Sequence, residues 1–157
     1  MNKHKIKAKV NGESVSFAVD SNERLIDMLR NRMGLTGTKE GCGKGDCGSC
    51  VVIVDGKTVN SCLMLAAQAD GKEVVTIEGL GTPEKMHPLQ KAFVEKGAVQ
   101  CGFCIPGMIV TAKNLLDNNP NPTRQEIREA ISGNLCRCTG YIKIIDAIQG
   151  AAAEMRR

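Results

Sequence analysis

Residues 38 to 62 read TKEGCGKGDCGSCVVIVDGKTVNSC, and the rest of the chain is organised around them. Cys42, Cys47 and Cys50 are spaced C-x4-C-x2-C, and a fourth thiol, Cys62, follows after eleven residues. This is the plant-type ligand spacing of a [2Fe-2S] cluster. Gly41, Gly43, Gly45 and Gly48 are interleaved with the cysteines. They let the backbone take positive φ and curl tightly, so that several N–H groups point inward at sulfur. The stretch predicts a redox cofactor held on a glycine-rich loop.

A chain of 157 residues holds one ordinary domain or two small ones. It has no Trp, one Tyr (Tyr141) and three Phe (Phe17, Phe93, Phe103), so another staple is expected, and eight cysteines are on hand. A secreted disulfide framework would use them in pairs. The opening MNKHKIKAKVNGES has no apolar signal segment, and no run is long enough to span a membrane, so the expectation is a cytoplasmic chain with reduced thiols. The net charge of +4 comes without a basic stripe or interleaved aromatics, which excludes a nucleic-acid footprint.

Outward from the loop, the pattern predicts an α+β unit. Ile6, Ala8 and Val10 alternate with polar residues, Asn11-Gly12 signals a tight turn, and Val15, Phe17 and Val19 alternate again. Asp20, Ser21 and Asn22 offer caps for a helix carrying Leu25, Met28, Leu29 and Met33, ended by Gly34. Behind the loop, VVIVD, a turn at Asp55-Gly56-Lys57, and Thr58 to Ser61 predict a second hairpin. A short helix over 63–69 and a strand over 73–77 complete a unit of about 80 residues.

Beyond the breaker-rich 78–83 the strand pattern stops. Four short helices are predicted: one with Leu89, Ala92 and Phe93, and one with Met108, Ile109, Ala112, Leu115 and Leu116. A third opens on the capping box Thr123/Glu126 and closes at Gly133. A fourth opens at Thr139-Gly140 and carries Tyr141, Ile145, Ile148, Ala152 and Met155. The division is therefore 1–80 and 81–157.

The other four thiols fall in the helical half. Cys101 and Cys104 form CxxC, Cys136 and Cys138 form CxC, and each pair lies just ahead of a predicted helix start, where free N–H groups and the helix dipole favour thiolate. Two such ends facing each other make a four-thiolate pocket. Taken alone this pattern leaves structural zinc open. The first loop favours a second iron–sulfur cluster. Lys39, Lys44 and Arg137 are candidate tuners, Arg137 foremost because ligand positions flank it, although such residues are ordinarily solvated.

GCGKGDCGSC, VQCGFCIPGM and SGNLCRCTGYIKI, in this order over nearly the whole chain, resemble the signatures of the small iron–sulfur subunit of molybdenum hydroxylases, the xanthine dehydrogenase family. All eight ligand positions are present. The resemblance implies an α+β chain made of an N-terminal β-grasp, ferredoxin-like domain and a C-terminal four-helix domain, each holding a [2Fe-2S] cluster. It implies Cys42, Cys47, Cys50 and Cys62 on the first cluster and Cys101, Cys104, Cys136 and Cys138 on the second. It further implies that electrons leave a molybdenum-pterin centre in a large subunit, pass the helical-domain cluster and then the β-grasp cluster, and reach FAD on a medium subunit. The assembly would be a heterotrimer or a dimer of heterotrimers. Gln100 and Cys138 would contact the pterin.

This chain would catalyse no bond chemistry itself. It lacks a phosphate-binding glycine loop in the strand-to-helix setting, and its only histidines, His4 and His87, read as ordinary surface residues. The complex would oxidise a purine or other N-heterocycle, with an aldehyde, carbon monoxide or an aromatic acyl-CoA as alternatives. From other classes come a freestanding ferredoxin, which has no need of the helical half, and a zinc-binding adaptor.

Overall fold

Alternation builds the first hairpin in the computed structural model, which describes residues 3–157. Strands β1 (Lys3–Val10) and β2 (Glu13–Asp20) pair antiparallel, with Lys3 opposite Asp20 and Val10 opposite Glu13. Ile6, Ala8 and Val10 face the core, while Lys5, Lys7 and Lys9 face out. Asn11 and Gly12 take φ of 51° and 86°, the left-handed pair that a two-residue hairpin turn requires. Asp55 and Gly56, at 47° and 78°, do the same between β3 (Val51–Val54) and β4 (Lys57–Asn60). Strand β5 (Glu73–Val75) enters between the hairpins, parallel to β1 and antiparallel to β3, and gives one sheet of order β2-β1-β5-β3-β4.

The helix behind this sheet departs from expectation. Asp20, Ser21 and Asn22 do not cap it. It begins as α1 (Leu25–Asp27) after an extended Arg24 and widens into a π-helical turn over Met28–Arg32. Its first N–H groups have remote partners instead: Leu25 donates to the Met64 carbonyl (2.7 Å) and Ile26 to the Ser61 carbonyl (3.1 Å). A side-chain cap is therefore unnecessary.

The helix expected over 63–69 is a 3-10 turn, Ala66–Ala69, because Leu65 is extended in a bridge to Arg24. The last strand stops at Val75, because Thr76 is bound on both sides of its backbone turn by Asn11. Its N–H donates to Asn11 Oδ1 (2.8 Å), and its hydroxyl accepts from Asn11 Nδ2 (2.9 Å).

Four helices make the second lobe: α2 (Pro88–Glu95), α3 (Ile105–Asn118), α4 (Arg124–Ala130) and α5 (Ile142–Met155). The Thr123/Glu126 capping box opens α4 as its residues predict. Gly133 does not close that helix; Ile131 terminates it, and Gly133 serves a contact between the lobes instead. His87 is not an idle surface residue. It is half-buried at the head of α2, and its Nδ1 accepts the Leu89 N–H (3.2 Å).

Each lobe has its own apolar core. Val19, Leu25, Met28, Leu29, Val52 and Val74 are fully buried in the sheet lobe, and Leu89, Phe93, Met108, Ile127, Ile144 and Ile148 in the helical lobe.

The lobes meet where α3 lies against β3 and the end of the cysteine loop. Asn114 Nδ2 donates to the Gly56 carbonyl (2.7 Å), and the buried Asn134 donates from Nδ2 to the Gly48 carbonyl (3.0 Å). Gly48, at φ 69°, has the Gly133 carbonyl and Asn134 where a side chain would stand, so only glycine fits this seam. Gly107 of α3 similarly has the Gly48 carbonyl where its Cβ would be.

Candidate metal centres

Two arginines from the α1 segment shape the first cysteine loop. Arg24 forks between Asp27 (2.8 Å) and Glu40 (2.7 Å), and Arg30 Nη1 donates to the carbonyls of Thr36 (2.9 Å) and Thr38 (2.7 Å). From the far side Asn60 Nδ2 donates to the Gly45 carbonyl (3.1 Å). None of these three residues stood out in the sequence. An arginine on a helix just ahead of a glycine-rich loop is the signal that points to them, since guanidinium is the side chain best able to hold several loop carbonyls or carboxylates at once.

Inside the loop the thiols come together in twos. Cys42 and Cys47 interact with each other, as do Cys50 and Cys62. The N–H groups of Lys44 and Asp46 point at Cys42 Sγ, at 3.5 and 3.3 Å. The Lys44 amide above all, then that of Cys47, lowers the Cys42 thiol to about 7. Burial pushes Cys50 up to about 11; it and Cys62 are packed against Ile26, which is fully buried.

Gly41 does not take positive φ. It matters by lacking a side chain, since a Cβ there would stand 2.9 Å from Cys47 Sγ, and the ring of Phe103 from the helical lobe lies close by. Lys44 is ion-paired with Asp46 (3.0 Å), and the Lys39 ammonium donates to the Thr36 carbonyl (2.7 Å), so neither is directed at sulfur.

The helical lobe repeats the two-and-two arrangement. Cys101 and Cys138 are exposed, with their sulfurs 3.5 Å apart, and the buried Cys104 meets Cys136. Cys104 sits at the head of α3, and the CxC pair sits on the loop that leads into α5. Burial, then the Cys136 thiol, pushes Cys104 up to about 12. Burial works against ionising Cys136, but the Thr139 hydroxyl and amide overcome it and hold the thiol below its ordinary value. Gln100 is exposed beside Cys101, and Arg137 is exposed between Cys136 and Cys138.

The quartets are joined through one peptide. Leu135, covalently bound to Cys136, donates its N–H to the carbonyl of Cys47 (2.9 Å). The histidines lie outside both quartets: His4 bonds Ser21 (3.0 Å), and His87 caps α2.

This donor set fits iron–sulfur chemistry. Among the described residues no three His, Cys, Asp or Glu side chains gather about a single ion position. Thiols arranged as two neighbouring pairs suit two sulfide-bridged irons, each taking two thiolates, better than one tetrahedral zinc. Among the described residues no helix is long and apolar enough to cross a membrane.

Comparison with known proteins gives the same picture. Residues 8–76 match the model of a 2Fe-2S iron-sulfur cluster binding domain, and residues 76–149 match that of a [2Fe-2S] binding domain. The chain is 55% identical over 151 residues to the nicotinate dehydrogenase small FeS subunit of Eubacterium barkeri, covering 96% of each. It superposes on a chain of quinoline 2-oxidoreductase from Pseudomonas putida 86 with a TM-score of 0.94 and 49% identity, covering 100% of this chain and 98% of that one. It is also 51% identical over 147 residues to the aldehyde oxidoreductase of Megalodesulfovibrio gigas, but there it spans 16% of the relative, so the same unit also occurs fused within a longer polypeptide.

Proposed function

The chain belongs to the family of small [2Fe-2S] iron–sulfur subunits of molybdenum hydroxylases, and on that premise we propose how its residues divide the work of electron transfer. It is a subunit without substrate chemistry of its own. A [2Fe-2S] cluster, when bound, supplies a one-electron carrier whose potential depends on hydrogen bonds to sulfur, net charge and solvent access.

Cys42, Cys47, Cys50 and Cys62 hold the cluster of a β-grasp, ferredoxin-like domain, residues 1–80. Cys101, Cys104, Cys136 and Cys138 hold that of a four-helix domain, residues 81–157. Exposure of Cys101 and Cys138 beside an exposed Gln100 supports this as the face that meets the molybdenum-pterin cofactor of a large subunit. There the Gln100 amide offers both a donor and an acceptor to a heterocycle edge. The Cys42 side of the glycine loop, partly exposed and lined by inward N–H groups, faces a medium, FAD-binding subunit.

The observation that carries this reading is the hydrogen bond from Leu135 to the Cys47 carbonyl, which ties the two quartets together through a single peptide. With the direction that the family resemblance implies, electrons run across this link from the large subunit to the helical lobe, then to the sheet lobe, then to flavin. A freestanding ferredoxin would need no second quartet.

The complex acts on an N-heterocycle. Relatives named for nicotinate and quinoline, aligned over nearly their whole length, support that class over the aldehyde of the fused relative. The three chains form a heterotrimer, single or doubled, in the cytoplasm, where thiols stay reduced. Purification with native partners tests this: a large and a medium chain should co-purify, and an N-heterocycle should bleach the visible absorption. Isolation as a lone chain, or bleaching by aldehydes alone, would refute it.

A further inference from the structure

The loop between α4 and α5 does more than present Cys136 and Cys138. The N–H of Cys136 is given to the Tyr141 hydroxyl oxygen (2.8 Å), so it does not reach sulfur. Cys136 Sγ instead faces two groups of Thr139: the hydroxyl oxygen at 3.1 Å and the amide nitrogen at 3.5 Å. The Thr139 oxygen in turn accepts the N–H of Tyr141 (3.3 Å). Tyr141 reaches that position only by adopting φ of 69°, a costly conformation for a bulky residue. The strain is offset by a turn that fixes both Cys136 and Thr139.

The direction of the hydroxyl bond follows from the chemistry. A metal-bound thiolate has no hydrogen to give, and the Thr139 oxygen already accepts from Tyr141, so the hydroxyl hydrogen lies on Cys136 Sγ. Among the described residues no hydroxyl is aimed at Cys101, Cys104 or Cys138. Hydrogen bonds to one sulfur draw negative charge toward the iron which that sulfur ligates. In the ligation proposed above that would be the iron held by Cys104 and Cys136, neighbouring thiols joined through Leu135 to Cys47.

We propose that Thr139 is the positioning residue that raises the reduction potential of the helical-lobe cluster and biases the added electron toward its Cys104/Cys136 side, facing the sheet lobe. This deepens the proposed function and rests on the cysteine ligation given there.

The test is an anaerobic dithionite titration of the full chain, loaded with both clusters and followed by electron paramagnetic resonance. The helical-lobe midpoint is identified as the one missing in a Cys101→Ser chain. Thr139→Val should lower that midpoint so that the reduced-to-oxidised ratio at fixed potential falls about tenfold, about 59 mV for one electron. The sheet-lobe midpoint should not move, and Thr139→Ser should restore the wild-type value. An unmoved midpoint in an iron-replete Thr139→Val chain overturns the proposal.

If Thr139→Val loses iron, Thr139→Ala takes its place under the same criterion. If both lose iron, resonance Raman of a Cys47→Ser chain in H2O and D2O decides. A deuterium-sensitive Fe–S(Cys) stretch that the hydroxyl-retaining Thr139→Ser background reproduces supports the hydroxyl donor, and one that is insensitive, or lost in that background, refutes it. A chain that holds zinc, or no sulfide, refutes the ligation itself, whereas a loaded chain with an unshifted potential refutes only the role of Thr139.

Discussion

The backbone N–H of Leu135 donates to the carbonyl oxygen of Cys47 across 2.9 Å, so the residue next to Cys136 is hydrogen-bonded to a residue of the other thiol quartet. The neighbouring Asn134 donates to the neighbouring Gly48, so two consecutive residues of one lobe bind two consecutive residues of the other. The proposed electron route follows this structural seam.

Gly107 should therefore reverse the usual helix rule. Alanine within a helix ordinarily gains about 0.5–1 kcal/mol over glycine. In α3, however, a Cβ at 107 meets the Gly48 carbonyl, which is backbone and cannot swing aside. Gly107→Ala should lose about 1–3 kcal/mol through overpacking. Urea unfolding of the loaded chain measures it; a gain in stability would mean that the lobes are not seated on each other as described.

Asn134→Ala removes one of two donors to the buried Gly48 carbonyl, the other being the Val51 N–H. Gly48 O keeps the Val51 N–H (3.2 Å), so the loss is that of one net hydrogen bond, about 0.5–1.5 kcal/mol. The same denaturation experiment should show the loss, along with slower electron exchange between the clusters. Unchanged stability would show that water replaces the amide.

The direction of electron flow separates two cysteine replacements. Cys101→Ser in the assembled complex should block reduction of the whole chain by substrate. Cys47→Ser should leave reduction of the helical lobe intact and stop delivery to flavin. Stopped-flow reduction by substrate reads both, provided that each variant still folds, because cluster binding contributes to folding. The opposite pattern would reverse the wiring.

Acid should erode the α4 cap. The Thr123 amide, then its hydroxyl, holds the Glu126 carboxyl below its usual range. A depressed folded value means that the stabilisation is fully present above the ordinary Glu value of about 4.3 and is lost as pH falls through the folded value. Glu126→Gln should lessen the acid dependence of unfolding in that window. An identical pH profile in the two chains would show that the box contributes nothing at equilibrium.

What the sequence revealed was local. Asn11-Gly12, Asp55-Gly56 and the Thr123/Glu126 box carry their instructions within four residues, and the structure follows them. The cysteine spacings likewise announce two groups of thiols, and the chain brings each group together. The start of α1 was illegible because its N–H groups are satisfied by Ser61 and Met64, more than thirty residues away. Arg24 and Arg30 act on a loop beyond their own helix, and Gly133 matters through Gly48 in the other lobe. His87 looked idle because a histidine cap is weakly marked beside the Ser, Thr, Asp and Asn that usually fill that place. Thr139 lies in a motif whose cysteines draw the eye, and only coordinates place its hydroxyl on Cys136.

Iron, acid-labile sulfide and zinc, measured together on the anaerobically purified chain, test the two-cluster relay most directly. Eight thiols in two quartets predict about four iron and four sulfide per chain, with no stoichiometric zinc. Stoichiometric zinc without sulfide, or half the iron with only one quartet protected from alkylation, would contradict it.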